Sequence, residues 1–468
     1  MATAQPIQQP KYATQRVAYP FFVVALALFA GQVTFGLLAG TVYVFPHFLA
    51  EIFPFHILRM IHTNLLLVWL IIAFFGAAYW ILPEETEQEI YSPRLAYIQL
   101  AIFALAGAAA VIGYMFGVHG GRHYLEQPLW VKFAFTVSFL MFLYNGTRTL
   151  IAGRKTSVSI ILMLGLWLAA IFWLFAFYHP ANLSLDKLYW WYVVHIWVEG
   201  VWELIMAALL GYLVIKLTGV DREIVDKWLY VIVALALFTG LLGTGHHYYW
   251  IGTPAYWQWV GSLFSTLEVL PFFAMLCFAF YMVWRGGRNH PNKAALLWTL
   301  GCAAVSFFGA GVWGFMHTLS PVNFYTHGTQ ITAAHGHLAF YGAYVMLNIA
   351  IMTYALPALR GRRPYNQILN MWAFWITTSA MCFMTFTLTF GGTVQVHLQR
   401  VMGMGFMEVQ DDLVLFYVMR WGSGIAVVVG VLLLLWALLG PARREPEPGD
   451  LAAHERNAGA EPEPVGAR

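Results

Sequence analysis

Residues 327–337 read HGTQITAAHGH, in which His335 and His337 are two positions apart. In a helix, residues two apart project about 200° from each other, so the two imidazoles would leave opposite sides of the same helix. This geometry suits a helix that lies between two haems and gives one histidine to each iron. The alternative is that each histidine has a separate polar partner within a bundle of helices.

The sequence around this stretch is strongly apolar. Hydrophobic residues make up 60% of the 468 and charged residues only 10%, compared with roughly 45–50% and 25% in a soluble domain. Apolar runs of about 17 to 25 residues recur through the chain, and in lipid such runs must satisfy their backbone as helices. We predict an all-α integral membrane protein with twelve transmembrane helices. The predicted spans are 18–45, 58–81, 95–118, 130–152, 156–178, 188–217, 226–250, 258–285, 292–320, 328–357, 367–395 and 412–438.

A single membrane domain, residues 18–438, is predicted between a cytoplasmic N-terminal segment (1–17) and a disordered cytoplasmic tail (439–468) rich in Pro, Glu, Arg and Ala. Nineteen of the 25 Lys and Arg residues then lie on the side of the termini, which the positive-inside rule assigns to the cytoplasm. The stretch 82–94, with four glutamates, is predicted to be exposed on that side. Because the basic residues are topology signals, the net charge of +3 does not indicate nucleic-acid binding.

Ionisable residues within the helices indicate chemistry, because they are costly in a membrane. In HIWVEGVWE, residues 195–203, the spacing of four puts His195, Glu199 and Glu203 on one face of a helix. A paired structural network is the alternative to a metal site there. In GTGHHY, residues 243–248, the glycines permit a local distortion that would let both His246 and His247 reach one ion.

Two further residues are ambiguous by themselves. His62, in RMIHTN, is either a structural hydrogen-bonding residue or an axial haem ligand, and in the second case Arg59 would suit a haem propionate. Glu268 is either a group that carries protons or a protonated glutamate in a structural hydrogen bond.

Taken together, these residues divide into three sets. His62 and His337 can be the axial ligands of a six-coordinate haem, which suits electron transfer, and His335 can be the sole protein ligand of a second haem with a vacant position for a diatomic gas. A third metal is left with four candidate ligands, His195, Glu199, His246 and His247. A lone histidine, His317, belongs to none of these sets.

These motifs resemble the haem-copper oxidase superfamily over nearly the whole chain. VEGVWELIM from Val198, GTGHHY from Gly243, WGFMHTL from Trp313 and THGTQITAAHGH from Thr326 are similar to the large catalytic subunit of cytochrome c-dependent nitric oxide reductases. Three imidazoles alone suit copper, and a carboxylate such as Glu199 shifts the preference toward iron. The resemblance implies a haem-copper oxidase-like bundle that reduces two NO to N₂O and water with haem b, haem b3 and a non-haem iron.

The resemblance also implies roles for other residues and partners. Glu203 and Glu268 would donate protons near the iron, and Arg59 and His327 would contact haem propionates. With no C-x-x-C-H motif and no copper-binding cysteine pair in this sequence, electrons would come from a small membrane-anchored cytochrome c subunit, itself reduced by a soluble cytochrome c or a cupredoxin. The expected location is the bacterial inner membrane, surrounded by lipid, with access to the active site from the periplasmic side.

One position departs from the family pattern. Relatives commonly have an acidic residue that helps to bind calcium between the haem propionates where this chain has His123 in RHYLEQP, whereas Glu126 matches. Imidazole is a poor ligand for a hard cation, so calcium in the region of Glu126 is only a candidate cofactor, and a direct bond from His123 to a propionate is the alternative.

Two other functions remain open from sequence. An oxygen reductase, or terminal oxidase, would have the same fold with copper at the third site. A transporter or channel could also have twelve helices and buried charges, but it would not need six histidines at these spacings.

Overall fold

Twelve long apolar helices form the protein in a computed structural model, which describes residues 9–287 and 290–441. This confirms the predicted number of spans, and no strand occurs within these ranges. Most of the predicted tail and the first eight residues lie outside them. The helices are α1 (Ala13–Val42), α2 (Phe55–Thr86), α3 (Pro93–Met115), α4 (Leu129–Ala152), α5 (Ser157–Phe177), α6 (Leu183–Thr218), α7 (Arg222–Tyr248), α8 (Tyr256–Gly286), α9 (Lys293–Thr318), α10 (Gln330–Leu359), α11 (Gln367–Val401) and α12 (Asp411–Leu439).

Three of these helices form the centre of the bundle. Between 83% and 89% of the residues in the most apolar part of α2, α6 and α10 are buried, compared with 56% or less in the other nine spans found in the described ranges. The same three helices carry five of the seven residues proposed above as haem or iron ligands. The ionisable side chains are therefore enclosed by protein, which avoids the cost of exposing them to lipid.

Several helices change their winding at the residues of interest. Trp197–Val201 forms a π turn within α6, Tyr341–Val345 forms another within α10, and Thr244–Tyr248 closes α7 as a 3-10 turn. Single π turns occur frequently at functional sites because they displace a side chain from the regular helical path. The distortion predicted at the GTGHHY motif is present.

Helix α10 begins at Gln330, two residues after the start of the predicted span 328–357. His327 lies outside α10, at the end of a short helix, Ser320–Thr326. Gly328 then adopts φ +75°, a left-handed conformation that ends the short helix, and the Thr329 side chain caps α10 by accepting from the Ile331 amide. The histidine is thus held at a junction between two helices.

The expectation that residues 82–94 are exposed is wrong for Glu85. Helix α2 continues to Thr86, and Glu85 is only 3% exposed. Its carboxylate accepts hydrogen bonds of 2.6 and 2.8 Å from the Arg222 guanidinium and one of 2.6 Å from the Thr156 hydroxyl. A buried carboxylate requires such pairing, and here the pairing joins the end of α2 to the starts of α5 and α7.

Candidate metal centre

Four side chains from α6 and α7 converge at one point. His195, Glu199, His246 and His247 each offer a ligand atom, and these atoms lie within 4.8 Å of one another. The Glu199 carboxylate is 3.3 Å from Nδ1 of His195 and 3.8 Å from Nε2 of both His246 and His247. The structure therefore brings together the whole ligand set that the sequence predicted for the third metal.

The π turn in α6 determines where Glu199 lies. Glu199 has φ −112° and ψ 22°, outside the helical region, so the even helical stripe expected for residues 195–203 is not what positions this carboxylate. Gly240 of α7 packs against the same turn, and a Cβ atom there would overlap the carbonyl oxygen of Glu199. A glycine at 240 is thus required for α7 to approach α6 this closely.

Hydrogen bonds orient two of the three imidazoles. His195 donates from Nε2 to the Gly240 carbonyl at 2.7 Å, which leaves Nδ1 directed at Glu199. Nδ1 of His246 lies 2.7 Å from Oγ of Ser265, whose hydroxyl donates to the Gly243 carbonyl, so His246 is the donor and its Nε2 faces the other ligands. Ser265 was not identified from sequence, because a serine in an apolar helix carries no distinguishing pattern.

Close backbone contact brings the two-histidine turn against α8. A Cβ atom on Gly245 would lie 2.8 Å from the Cα atom of Gly261, which is too short for any side chain. Ser265 is one turn beyond Gly261 on α8, within reach of His246. Gly245 therefore lets α8 come close enough for Ser265 to bond to His246.

The donor atoms fit a metal ion. Nδ1 of His195 and Nε2 of His247 are buried and have no hydrogen-bond partner within the described part of the chain. Buried polar atoms nearly always have a hydrogen-bond partner. Two buried ring nitrogens that lack one and are directed at the same carboxylate therefore indicate a metal ion as the missing partner. Three imidazoles and one carboxylate are a donor set suited to iron, with copper or zinc as chemically reasonable competitors.

A second arrangement involves His62 of α2 and His337 of α10. Their ring centroids are 6.2 Å apart and the ring planes are inclined by 23°. A metal–nitrogen bond is about 2.0 Å long, and the centre of an imidazole ring lies about 1.1 Å beyond the bonded nitrogen. One iron bound between two imidazoles therefore needs ring centroids roughly 6 Å apart. The spacing therefore fits a six-coordinate haem iron, and it favours the ligand interpretation of His62.

Helix α1 holds the His62 ring. Its Nδ1 donates to the Gln32 carbonyl at 2.8 Å, and the Gln32 side chain lies 3.2 Å from the same nitrogen. A Cβ atom on Gly36, one turn further along α1, would lie 2.5 Å from Cε1 of the ring. Neither residue could be found from sequence, since one acts through its backbone and the other through the absence of a side chain.

His335 leaves the opposite side of α10, as its spacing from His337 predicts. Its Nδ1 donates to the Gly309 carbonyl of α9 at 3.0 Å, while His337 donates from Nδ1 to the Ala333 carbonyl at 2.7 Å. Both histidines therefore keep Nε2 available for iron. The charges of His335, Glu199 and His246 influence one another, so these side chains lie in the same region of the bundle.

Two more carboxylates lie close to this cluster. Glu203 is 1% exposed and Glu268 is 8% exposed. Both oxygens of Glu203 and one oxygen of Glu268 have no hydrogen-bond partner among the described residues. Glu268 is within electrostatic range of both Glu199 and Glu203, and a Cβ atom on Gly243 would lie 2.5 Å from its free oxygen. Glu268 also lies within hydrogen-bonding reach of Glu199, so both the proton-carrying role and the structural hydrogen bond stay predictions for this residue.

The chain is similar to known proteins over most of its length. Residues 16–426 match the family described as Cytochrome C and Quinol oxidase polypeptide I. A nitric oxide reductase subunit of Stutzerimonas stutzeri is 52% identical over 449 residues, which cover 91% of this chain and 95% of that relative. The chain belongs to the nitric oxide reductase family. It is therefore an oxidoreductase with haem and metal cofactors, as the resemblance implied.

More distant relatives are similar in sequence or in fold. A cytochrome c oxidase subunit 1 homolog of Agrobacterium tumefaciens (strain T37) is 24% identical over 485 residues, covering 94% of this chain and 86% of that relative. A haem-copper terminal oxidase dimer solved by cryo-EM superposes with a TM-score of 0.73 at 15% identity, covering 93% of this chain and 86% of that chain. The latter comparison confirms the haem-copper oxidase-like bundle.

Glu126, the candidate residue for a calcium site, already has partners in the protein. Its carboxylate lies 3.4 Å from the Arg59 guanidinium and accepts from Asn64 at 2.9 Å. Burial raises the pKa of Glu126, and the bonds from Asn64 and Arg59 oppose that shift. The pKa of His123 is lowered by partial burial and by the nearby cations Arg59 and Lys187. These cations favour an anionic ligand such as a propionate more than they favour calcium.

His327 lies in similar surroundings. Partial burial and the nearby Arg400 and Lys187 lower its pKa. The Trp250 indole stacks on its ring with centroids 5.3 Å apart, and Arg400 donates to its carbonyl at 3.2 Å. Lys187 thus affects both His123 and His327, so the two histidines face a common region of positive charge.

His317, which belonged to no ligand set, has a structural role. Its Nε2 lies 3.3 Å from the Ile331 carbonyl and its Nδ1 lies 3.2 Å from the Thr326 hydroxyl. Its ring packs 5.4 Å from that of His335. With both nitrogens bonded, it joins α9 to the start of α10.

Proposed function

We propose that this chain catalyses 2 NO + 2 e⁻ + 2 H⁺ → N₂O + H₂O. The proposed cofactors are a low-spin haem b at His62 and His337, a high-spin haem b3 at His335, and a non-haem iron at His195, Glu199, His246 and His247. The observation that carries this proposal is the Glu199 carboxylate, which lies within 3.8 Å of all three imidazoles.

The carboxylate distinguishes this proposal from oxygen reduction. A site of three imidazoles suits copper, whereas an added carboxylate oxygen favours iron. The named activity of the S. stutzeri relative, which is 52% identical, supports the same choice. When bound, the high-spin haem and the non-haem iron would supply two adjacent sites for two NO molecules and the electrons that reduce them.

The chain's own residues would supply the protons. Glu203 and Glu268 are buried beside Glu199 and have carboxylate oxygens with no partner in the described part of the chain. A carboxyl group in such surroundings favours its protonated form. It can therefore keep a proton at the site and donate it to the oxygen atom that is released as water. Glu199 would remain a ligand and a source of negative charge.

NO would reach the centre through an apolar cleft. This cleft is lined by side chains of α2, α3, α4, α5 and α6, among them Leu67, Phe135 and Trp197. It extends from the 124–127 loop to Val194 and Val198, which adjoin the ligands His195 and Glu199 in sequence. An apolar lining suits a small uncharged gas, and the loop belongs to the side predicted to be periplasmic.

Electrons would come from a partner. We propose a small membrane-anchored cytochrome c subunit that forms a heterodimer with this chain and is reduced by a soluble cytochrome c or cupredoxin. We place the complex in the bacterial inner membrane with both termini cytoplasmic. Arg59 and His327 would contact haem propionates. Calcium near Glu126 stays a prediction, because Arg59 and Asn64 already engage that carboxylate.

Metal analysis of the purified holoenzyme tests the proposal. Three irons per chain in addition to those of the cytochrome c subunit, no copper, and NO-dependent N₂O formation are the expected result. Two irons with one copper, and turnover of O₂ in preference to NO, would instead identify an oxygen reductase. A preparation that folds but has no Soret absorption would contradict both.

A further inference from the structure

His247 is the least constrained of the three imidazoles at the metal centre. His195 and His246 are each fixed by a hydrogen bond from the ring nitrogen that faces away from the other ligands. Metal-binding histidines almost always have such a bond, which sets the orientation of the ring. Among the described residues, no comparable hydrogen bond is found for His247.

An aromatic stack takes the place of that bond. The Trp191 indole lies parallel to the His247 ring, with centroids 4.1 Å apart and planes inclined by only 6°. Trp191 is on α6, one turn before His195. The side chain that flanks His247 is therefore carried by the helix that also carries two other ligands, His195 and Glu199.

A second tryptophan supports the first. Trp190 stacks on Trp191 with centroids 5.4 Å apart and planes inclined by 11°. Its indole N–H donates to the His123 carbonyl at 2.8 Å, and its ring meets the His123 ring edge to face at 5.3 Å. Three rings in series thus connect the 119–128 loop to His247.

We propose that Trp191 is a positioning residue of the metal centre, which holds the His247 ring in the plane that directs Nε2 at the ion. This inference rests on the proposed function, since it takes His247 to be a ligand. Parallel stacking restricts tilting of the imidazole but leaves rotation within its plane free. The remaining freedom is limited by the turn Thr244–Tyr248, which fixes the backbone of His247.

The experiment compares the holoenzyme with Trp191→Leu and Trp191→Phe. We measure non-haem iron per haem and the rate at which a ferrous chelator removes that iron, with the two haem spectra as an internal reference. Loss of groups that orient metal ligands typically lowers metal affinity by about 10- to 100-fold. Trp191→Leu should lose non-haem iron faster by a factor in this range, and Trp191→Phe, which keeps a flat ring, should recover most of the retention.

Trp228→Leu is the matched control. Trp228 is also half-buried and packs on an aromatic ring, that of Phe278 at 5.8 Å, but it stacks on no histidine. This variant should release non-haem iron at the parental rate. If Trp191→Leu also released iron at the parental rate while both haem spectra were normal, the positioning role would be wrong. A parental enzyme without a third metal would instead contradict the proposed function itself.

Discussion

The ring centroids of His62 on α2 and His337 on α10 lie 6.2 Å apart, and the ring planes are inclined by 23°. Replacing either residue with alanine would remove one of the two proposed axial ligands, so His62→Ala and His337→Ala should each abolish the low-spin haem signal. His335→Ala should remove the high-spin signal alone. Optical and EPR spectra of the three purified variants check this. Loss of the same haem in all three would mean that the ligands are wrongly divided.

Glu199→Ala removes the only carboxylate among the four side chains that converge at the proposed metal site. We expect loss of non-haem iron and of NO turnover, with both haems retained, because His62, His337 and His335 are untouched. Iron analysis and an NO electrode measure the two effects. A variant that kept a full iron complement and full turnover would show that Glu199 is not a ligand.

Glu203→Gln and Glu268→Gln preserve the size of the side chain but remove the proton that it could transfer. Since general acid catalysis typically contributes about 10²- to 10⁴-fold, NO turnover should fall at least about 10²-fold in one or both variants. Iron and haem contents should match those of the parent, which separates a role in proton transfer from a role in assembly. Parental turnover in both variants would rule out this role.

Gly240→Ala places a methyl group against the Glu199 carbonyl, where α6 and α7 meet. The helices must then separate, so we expect loss of non-haem iron and a lower melting temperature. Gly200→Ala is the natural control, because its added methyl group would lie 3.9 Å from the nearest atom of α7, the Cα atom of Gly240. Thermal unfolding in detergent and iron analysis compare the two variants. If both variants lost iron and melting temperature to the same extent, the contact between Gly240 and the Glu199 carbonyl would have no specific role.

The lowered pKa of His123 makes the stability of the folded protein depend on pH. Below about pH 6.5 a histidine in the unfolded chain binds a proton. In the folded chain, partial burial and the nearby cations Arg59 and Lys187 disfavour protonation of His123. The unfolded state then binds more protons, so stability decreases as the pH falls through this range. His123→Gln should lessen that decrease and leave the melting temperature above pH 7.5 nearly unchanged. Parallel melting curves between pH 5 and pH 8 make the comparison.

The sequence predicted those features that depend on side-chain chemistry or on long apolar runs. The twelve spans follow from hydrophobicity, and the convergence of His195, Glu199, His246 and His247 follows from the cost of burying them. The turn that places Glu199 could not be predicted, because a π turn depends on packing between α6 and α7 and has no reliable sequence signal.

Residues that act through geometry were missed for related reasons. Gln32 holds His62 partly through its backbone carbonyl, and Gly36 does so by leaving room for the ring. Glu85 was expected to be exposed, since its partners Arg222 and Thr156 are remote in sequence and only the folded chain brings them together.

The contact between Gly245 and Gly261 has a consequence for protein design. Because these two backbones touch without intervening side chains, α7 and α8 approach each other at this point more closely than a side chain at either position would permit. A designer who copied only the three histidines and the glutamate into another helical scaffold would obtain helices too far apart for a serine to reach His246. Transplanting this centre requires copying the inter-helix distance first, and the ligands second.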